Sequence, residues 1–275
     1  MLAEKKLNEK ERFNVELMNF GVGGYTQTEE LYVLENYVQR FSPDMVMLFF
    51  HPPTDIADIN KATATIQKTD RPFYVITDKE VLELDTSFSK TKIYKIKCSM
   101  NWLKKNSIII SFLINKIKKF HKKRLTTTKT AKEKKNSNKK DRIHGYLSLC
   151  TDNPDMVYLE NYKLNKILIK QMVQYCKENK WEFVLVCLDT PAYITEREEK
   201  LKKVDDTFNL NFFDDDLNIY AKELGIDFIG LQRRFRQYYE ETAKPLHLGH
   251  WDYQGHECVA ETLVDKLQPL IEKTK

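Results

Sequence analysis

Glycine is scarce in this chain, eight in 275 residues, and cysteine comes as an odd five. Cys98, Cys150, Cys176, Cys187 and Cys258 are widely spaced and mostly sit among apolar neighbours, as in "FVLVCL". Such spacing excludes a disulfide framework or a zinc-binding pattern, and reduced core residues are expected. Long apolar runs are also missing. "SIIISFLI" at 107–114 is the best candidate, and it falls well short of the roughly 20 residues a membrane helix needs. The opening "MLAEKKLNEKERF" has no apolar stretch of the kind that marks a secretory signal, so the cytoplasm is the default expectation.

What is present is charge, unevenly placed. The formal net charge is +5, yet residues 116–142 hold thirteen lysines and arginines against Glu133 and Asp141, an excess of +11. The rest of the chain therefore carries −6, which argues against nucleic acid as a partner of the folded body. The stretch "RLTTTKTAKEKKNSNKKDR" cannot support a core and reads as a mobile loop. It is either a solvated charge run or a contact for an anionic surface.

Hydrophobic periodicity predicts an α/β fold. Apolar runs at 14–20, 44–50, 182–188 and 226–231 have the length and composition of buried parallel strands. Helical patterns at 28–41, 155–179 and 210–225 alternate with them. A last helix, 255–272, is expected to bury Cys258, Leu263, Leu267 and Leu270 or Ile271. Such alternation predicts one domain over residues 1–275, a parallel sheet with helices on both faces. Two insertions interrupt it, a hairpin at 71–84 and an amphipathic helix followed by the basic loop at 97–142.

In open sheets of this kind chemistry collects at the carboxyl ends of the strands. After the first run comes "NFGVGGYTQTEE", where Gly21, Gly23 and Gly24 stand at a strand-to-helix junction. They suit either a tight turn or a backbone cradle for an oxyanion. After the second comes "HPPTDIADIN", with Thr54 and Asp55 placed to cap a short helix. After the third, Asp189 and Thr190 invite the same capping explanation. Last comes "HLGHWDYQGHE", which brings His247, His250, Trp251 and His256 into one polar turn. A metal site would need those histidines to converge from a turn and a helix with no cysteine or carboxylate at a recognised spacing. No metal and no cofactor are expected.

The order and spacing of these blocks resemble the SGNH (GDSL-type) hydrolases, flavodoxin-like esterases and acyl hydrolases, over nearly the whole chain. The resemblance implies a three-layer fold and a small ester or acylated carbohydrate as substrate. It assigns an oxyanion N–H to Gly24, a second hole position to Thr54 and the general base to His250. The chain also departs from the pattern. No serine precedes the glycine turn, where a Gly-Asp-Ser block and its strand are expected; Thr54 replaces an asparagine; and Leu248 and His247 stand where the acid that orients the base is expected. Without a nucleophile no acyl-enzyme can form. Three readings follow: a truncated or degenerate ester hydrolase of weak or no activity, a non-catalytic glycan- or acyl-binding relative, and a scaffold whose basic loop contacts an anionic surface.

Overall fold

The computed structural model describes residues 2–9, 14–64, 71–76, 82–112, 114, 116, 142–191, 194–247 and 249–273. The chain divides into two compact units, Met1–Thr65 with Ile143–Lys275, and Ile66–Arg142.

The larger unit is α/β. Its sheet has three parallel strands, β1 (Met45–Phe50), β4 (Glu182–Cys187) and β5 (Asp227–Gly230), in the order β1-β4-β5. These are three of the four expected strands, and β4 is buried from Phe183 to Cys187 as its unbroken apolar run requires. Around the sheet lie α1 (Leu2–Glu9), α2 (Gln27–Asn36), α3 (Pro52–Asp58), α5 (Met156–Glu178), α6 (Thr195–Val204), α7 (Phe212–Leu224), α8 (Gln232–Thr242) and α9 (Tyr253–Lys273). Helix α5 buries Leu164, Leu168, Met172 and Cys176 at helical spacing, and it packs against α2, α3 and β4. Helix α7 stops at Gly225, whose φ of 65° serves a left-handed cap, and leads into β5. Helix α9 buries Cys258, Leu263 and Leu267 as expected, while Leu270 and Ile271 are half-buried.

The fourth expected strand is not in the sheet. Residues 14–20 have no ladder partner among the described residues, although their exposure alternates at 14–18 as a half-buried strand's would. Side chains of α1 occupy one of the segment's edges instead. Asn8 donates to the Val15 carbonyl (2.9 Å) and accepts from its N–H (2.8 Å), copying a strand's pair of bonds. Glu4 accepts from the N–H of Leu17. Helix α1 is itself fixed to α9 through buried Ala3 and Leu7 and by Lys6, which pairs with Glu257 and Glu261.

The smaller unit contains the expected hairpin, β2 (Phe73–Ile76) antiparallel to β3 (Leu82–Asp85) in the register Phe73 to Asp85. Its turn and most of the basic loop at 116–142 lie outside the described residues. Helix α4 (Lys92–Asn106) starts five residues before the expected position, because the Thr91 hydroxyl caps it by accepting from the Tyr94 N–H (3.2 Å). Four cysteines are buried, whereas Cys98 on α4 is exposed, contrary to a core role for all five. Among the described residues no helix is long and apolar enough to cross a membrane.

Candidate functional site

The carboxyl ends of all three parallel strands carry polar side chains; those past β4 and β5 bond to one another and to a later turn, while those past β1 bond among themselves and to α2. Asp189, just past β4, is the centre. Its side chain is wholly buried, and its carboxylate takes a hydrogen bond on each oxygen, from His247 Nε2 at 2.7 Å and Trp251 Nε1 at 2.9 Å. Asp189 is therefore no helix cap. Ile194 precedes α6, whereas Asp189 binds a turn 58 positions later in the chain. A carboxylate can only accept, so His247 must donate from Nε2, and in the neutral tautomer that fits this bond Nδ1 is the acceptor nitrogen. Neighbouring Thr190 is no cap either: its N–H and hydroxyl both donate to Gln232 Oε1 at the start of α8, just past β5.

The turn that delivers His247 and Trp251 is closely packed. His247 and Trp251 form an isolated antiparallel bridge, and both rings lie against buried Phe235 at 5.8 and 5.7 Å between centroids. Gly255 sits where a Cβ would lie 2.7 Å from the Leu246 carbonyl oxygen, so the close approach itself requires glycine. His256 sits in the first turn of α9, with its N–H on the Asp252 carbonyl and its ring edge-on to Trp251. His250 is exposed and makes no hydrogen bond with the described residues. The oriented imidazole of the turn is thus His247, the position at which the acid was expected.

At the end of β1 the chain turns through His51 into α3. Two prolines occupy the first helical positions, and the Asp55 carboxylate reaches back to accept from the His51 N–H at 2.7 Å. His51 itself holds the cap position, which corrects the expectation that Thr54 or Asp55 would cap. Thr54 Oγ1 lies 2.8 Å from His51 Nδ1 and donates at 3.3 Å to Asp55, so the threonine hydroxyl is engaged within its own turn. Burial holds the His51 imidazole below its ordinary pKa; Asp189 opposes that shift, while His247 and His250 add to it. These groups therefore share one electrostatic neighbourhood, with His51 favoured as the neutral ring.

Asp55 is buried, and burial above all pushes its carboxyl up to about 7 against the hydrogen bonds it accepts from His51, Gln27 and Thr54. Gln27, at the start of α2, donates from Nε2 to both Asp55 (3.0 Å) and Glu30 (3.1 Å). Glu30 is raised well above its usual value, first by burial and then by the charges of Asp55 and Glu29. This bridge brings the first turn of α2 against the first turn of α3. Gly24 lies in the exposed turn just before α2, with φ at 84° and the Tyr25 N–H on the Val22 carbonyl. The glycine turn is thus a tight turn whose sign of φ requires glycine at Gly24.

Ser148, the buried serine of the larger unit, offers no free nucleophile. Ser148 is buried and fully engaged, donating to the Gly145 carbonyl (2.7 Å) and accepting from the Asp155 N–H (2.9 Å). Among the described residues no group of three or more histidines, cysteines and carboxylates could hold a metal ion. No protein-family model, no curated protein and no solved structure matches this chain.

Asp189 and His51 escaped sequence reading. His51 stands one residue past β1 and Asp189 two past β4, and Asp189 had a simpler local explanation as a cap. Buried Asn161 and Asn165 escaped as well. Asn161 donates to the Ile56 carbonyl at 2.8 Å and Asn165 to the Asp55 carbonyl at 3.4 Å, securing α3 from below. Two asparagines four apart on the buried face of an apolar helix were the available signal.

Proposed function

We propose that this chain is an SGNH-type hydrolase body of flavodoxin-like descent that binds a small acyl or acetyl ester, carbohydrate-linked esters included. The observation that carries the reading is the bond between Asp189 and His247 at the carboxyl edge of a parallel sheet. An imidazole held by a buried carboxylate is oriented and fixed in one tautomer, as a general base must be. In this reading Asp189 replaces the acid missing before His250, and His247 replaces His250 as base. Thr54 and the Gly24 turn flank the substrate, and because the Thr54 hydroxyl proton is held by Asp55, Thr54 lines the site without donating to the ester oxygen. With no serine bonded to this imidazole among the described residues, turnover is limited to attack by water, orders of magnitude below a full triad enzyme.

A second observation bears on where a nucleophile would enter. The carbonyls of Asp44 and Phe50 accept from Glu182 and Leu188, so even-numbered backbone groups of β1 face β4. Those of Met45, Met47 and Phe49 point to the outer edge, where no described strand pairs. A further parallel strand added there would end beside His51, and a Gly-Asp-Ser turn at its end would face His247.

Fluorophosphonate labelling tests both points. The 275-residue chain should show no labelled serine and no serine-dependent turnover of p-nitrophenyl acetate. A version extended upstream in its reading frame, if the extension encodes Gly-Asp-Ser, should label at that serine, and His247→Ala should abolish the labelling while His250→Ala retains most of it. Labelling of Ser148 or Ser87 would overturn the reading; loss only in His250→Ala would restore His250 as base.

A further inference from the structure

The smaller unit presents an apolar surface that the proposed site does not use. Helix α4 is fifteen residues long and has no buried residue. Ile93, Ile96, Met100 and Leu103 are spaced three, four and three apart, so at about 100° per residue they form one stripe roughly 80° wide. All four are exposed, Ile93 and Ile96 by 60% and 59%. The pattern continues past the helix, where Ile108, Ile109 and Phe112 are exposed by 90%, 73% and 59%. A surface of this kind is costly to leave in water, and it marks an interaction site.

Its charge says what would cover it. Between Asp85 and Glu133 the sequence has no aspartate or glutamate, while it has fourteen lysines and arginines. Five of these, Lys92, Lys95, Lys97, Lys104 and Lys105, lie on α4 itself. The helix therefore combines an exposed aliphatic stripe with side-chain charges that are all basic, together with neutral Ser99 and Asn101 and an exposed Trp102, an amphipathic pattern suited to lying flat in a lipid headgroup region.

We propose that α4 is a docking surface for an anionic lipid bilayer, its aliphatic stripe entering the headgroup boundary and its lysines meeting acidic headgroups. A second copy of the chain is disfavoured, because two surfaces of one sign repel. Nucleic acid would engage the lysines and leave the aliphatics in water, since phosphate contacts make no use of them. Each lysine close to an anionic leaflet strengthens binding about fivefold, and salt screens that part.

The test is flotation of the full chain with vesicles of phosphatidylcholine alone or with one quarter phosphatidylglycerol, at 0.1 M and 0.5 M salt. The chain should float with the anionic vesicles at low salt and stay behind with the neutral ones. Because the substituted positions are exposed, Ile93→Asp with Ile96→Asp should keep the melting temperature and circular dichroism while lowering vesicle binding at least tenfold. Lys104→Glu with Lys105→Glu should also lower it at least tenfold. Three results would overturn the proposal: no binding to anionic vesicles, unchanged binding by the isoleucine variant, which would leave only the basic run at 116–142, or tighter binding to a twenty-base oligothymidine than to vesicles.

Discussion

Asp189 Oδ2 and His247 Nε2 are 2.7 Å apart although 58 positions separate them, and the same carboxylate holds Trp251 through its other oxygen. The indole N–H can only donate, so in Asp189→Asn it will keep the amide oxygen, and the amide NH2 will face His247. His247 must then accept at Nε2 and carry its proton on Nδ1. Nitrogen-15 NMR of the imidazole should show the reversed tautomer. With one buried charge-assisted bond weakened, the variant should lose about 1–3 kcal/mol of stability by urea denaturation. An unchanged tautomer would mean that the amide oxygen serves His247 and that Trp251 has been released.

Asp55 gives a pH dependence of defined sign. Its carboxyl is raised from 3.8 to about 7, chiefly by burial, so over that window the folded chain binds more protons than the unfolded one. Its contribution to stability is fully present below pH 3.8 and is lost as pH rises toward 7. Asp55→Asn keeps an acceptor for the His51 N–H and Gln27, and it presents an NH2 to the Thr54 hydroxyl, which can turn to accept. It also removes one of the like charges that raise Glu30. Melting temperatures followed from pH 4 to 7 should decline less in the variant than in the parent. Parallel curves would show that Asp55 titrates as an ordinary carboxylate.

The sheet was legible where local chemistry and long-range pairing agree. The apolar runs of β1, β4 and β5 need cover on both faces, and each is a strand. Residues 14–20 have a comparable pattern, yet periodicity reports which faces can be buried and not whether a neighbouring backbone is there to pair. Asn8 and Glu4 occupy that edge from a helix, a tie that no hydrophobic pattern encodes. Asp189 failed to stand out for a related reason. An aspartate between a strand and a helix is most simply a cap, and only the fold shows α6 starting six residues later, behind Ile194. The histidine turn was legible as a cluster; which of its rings meets a carboxylate depended on Asp189, and so on tertiary structure.

Asn161 and Asn165 supply another test, on the support of the site. Asn161 Nδ2 is shared between the Ile56 carbonyl and Thr63 Oγ1, at 2.8 Å each. Asn161→Leu takes the side-chain donor from the Ile56 carbonyl, while the half-buried Thr63 hydroxyl keeps its bond to the Ala57 carbonyl, and should cost about 1–3 kcal/mol. Because α3 carries His51 and Thr54, the same change should shift the His51 ring resonances in proton NMR. A stable variant with an unmoved His51 would show that α3 is held by its packing against α5 alone.

Gly255 fixes the geometry of the histidine turn, and replacing it should separate the site from the fold. A Cβ there would lie 2.7 Å from the Leu246 carbonyl oxygen and 3.0 Å from Trp251 Cβ, and neither is the free end of a flexible side chain. Gly255 is helical, in the first turn of α9, so alanine is favourable for the backbone and the cost comes only from the clash. Relief requires the 246–251 turn to move away from α9, carrying Trp251 off Asp189 and weakening the hydrogen bond to His247. Gly255→Ala should therefore lose about 1–3 kcal/mol, the usual range for overpacking, and should show reversal or exchange broadening of the His247 tautomer signals. Gly249→Ala is the control. It lies in the same turn with φ at 89° and nothing within 4 Å of its Cβ position, so it tests backbone strain without the clash. If both variants disturb His247 equally, the turn is fixed by its backbone conformation and not by the approach of Leu246 to α9.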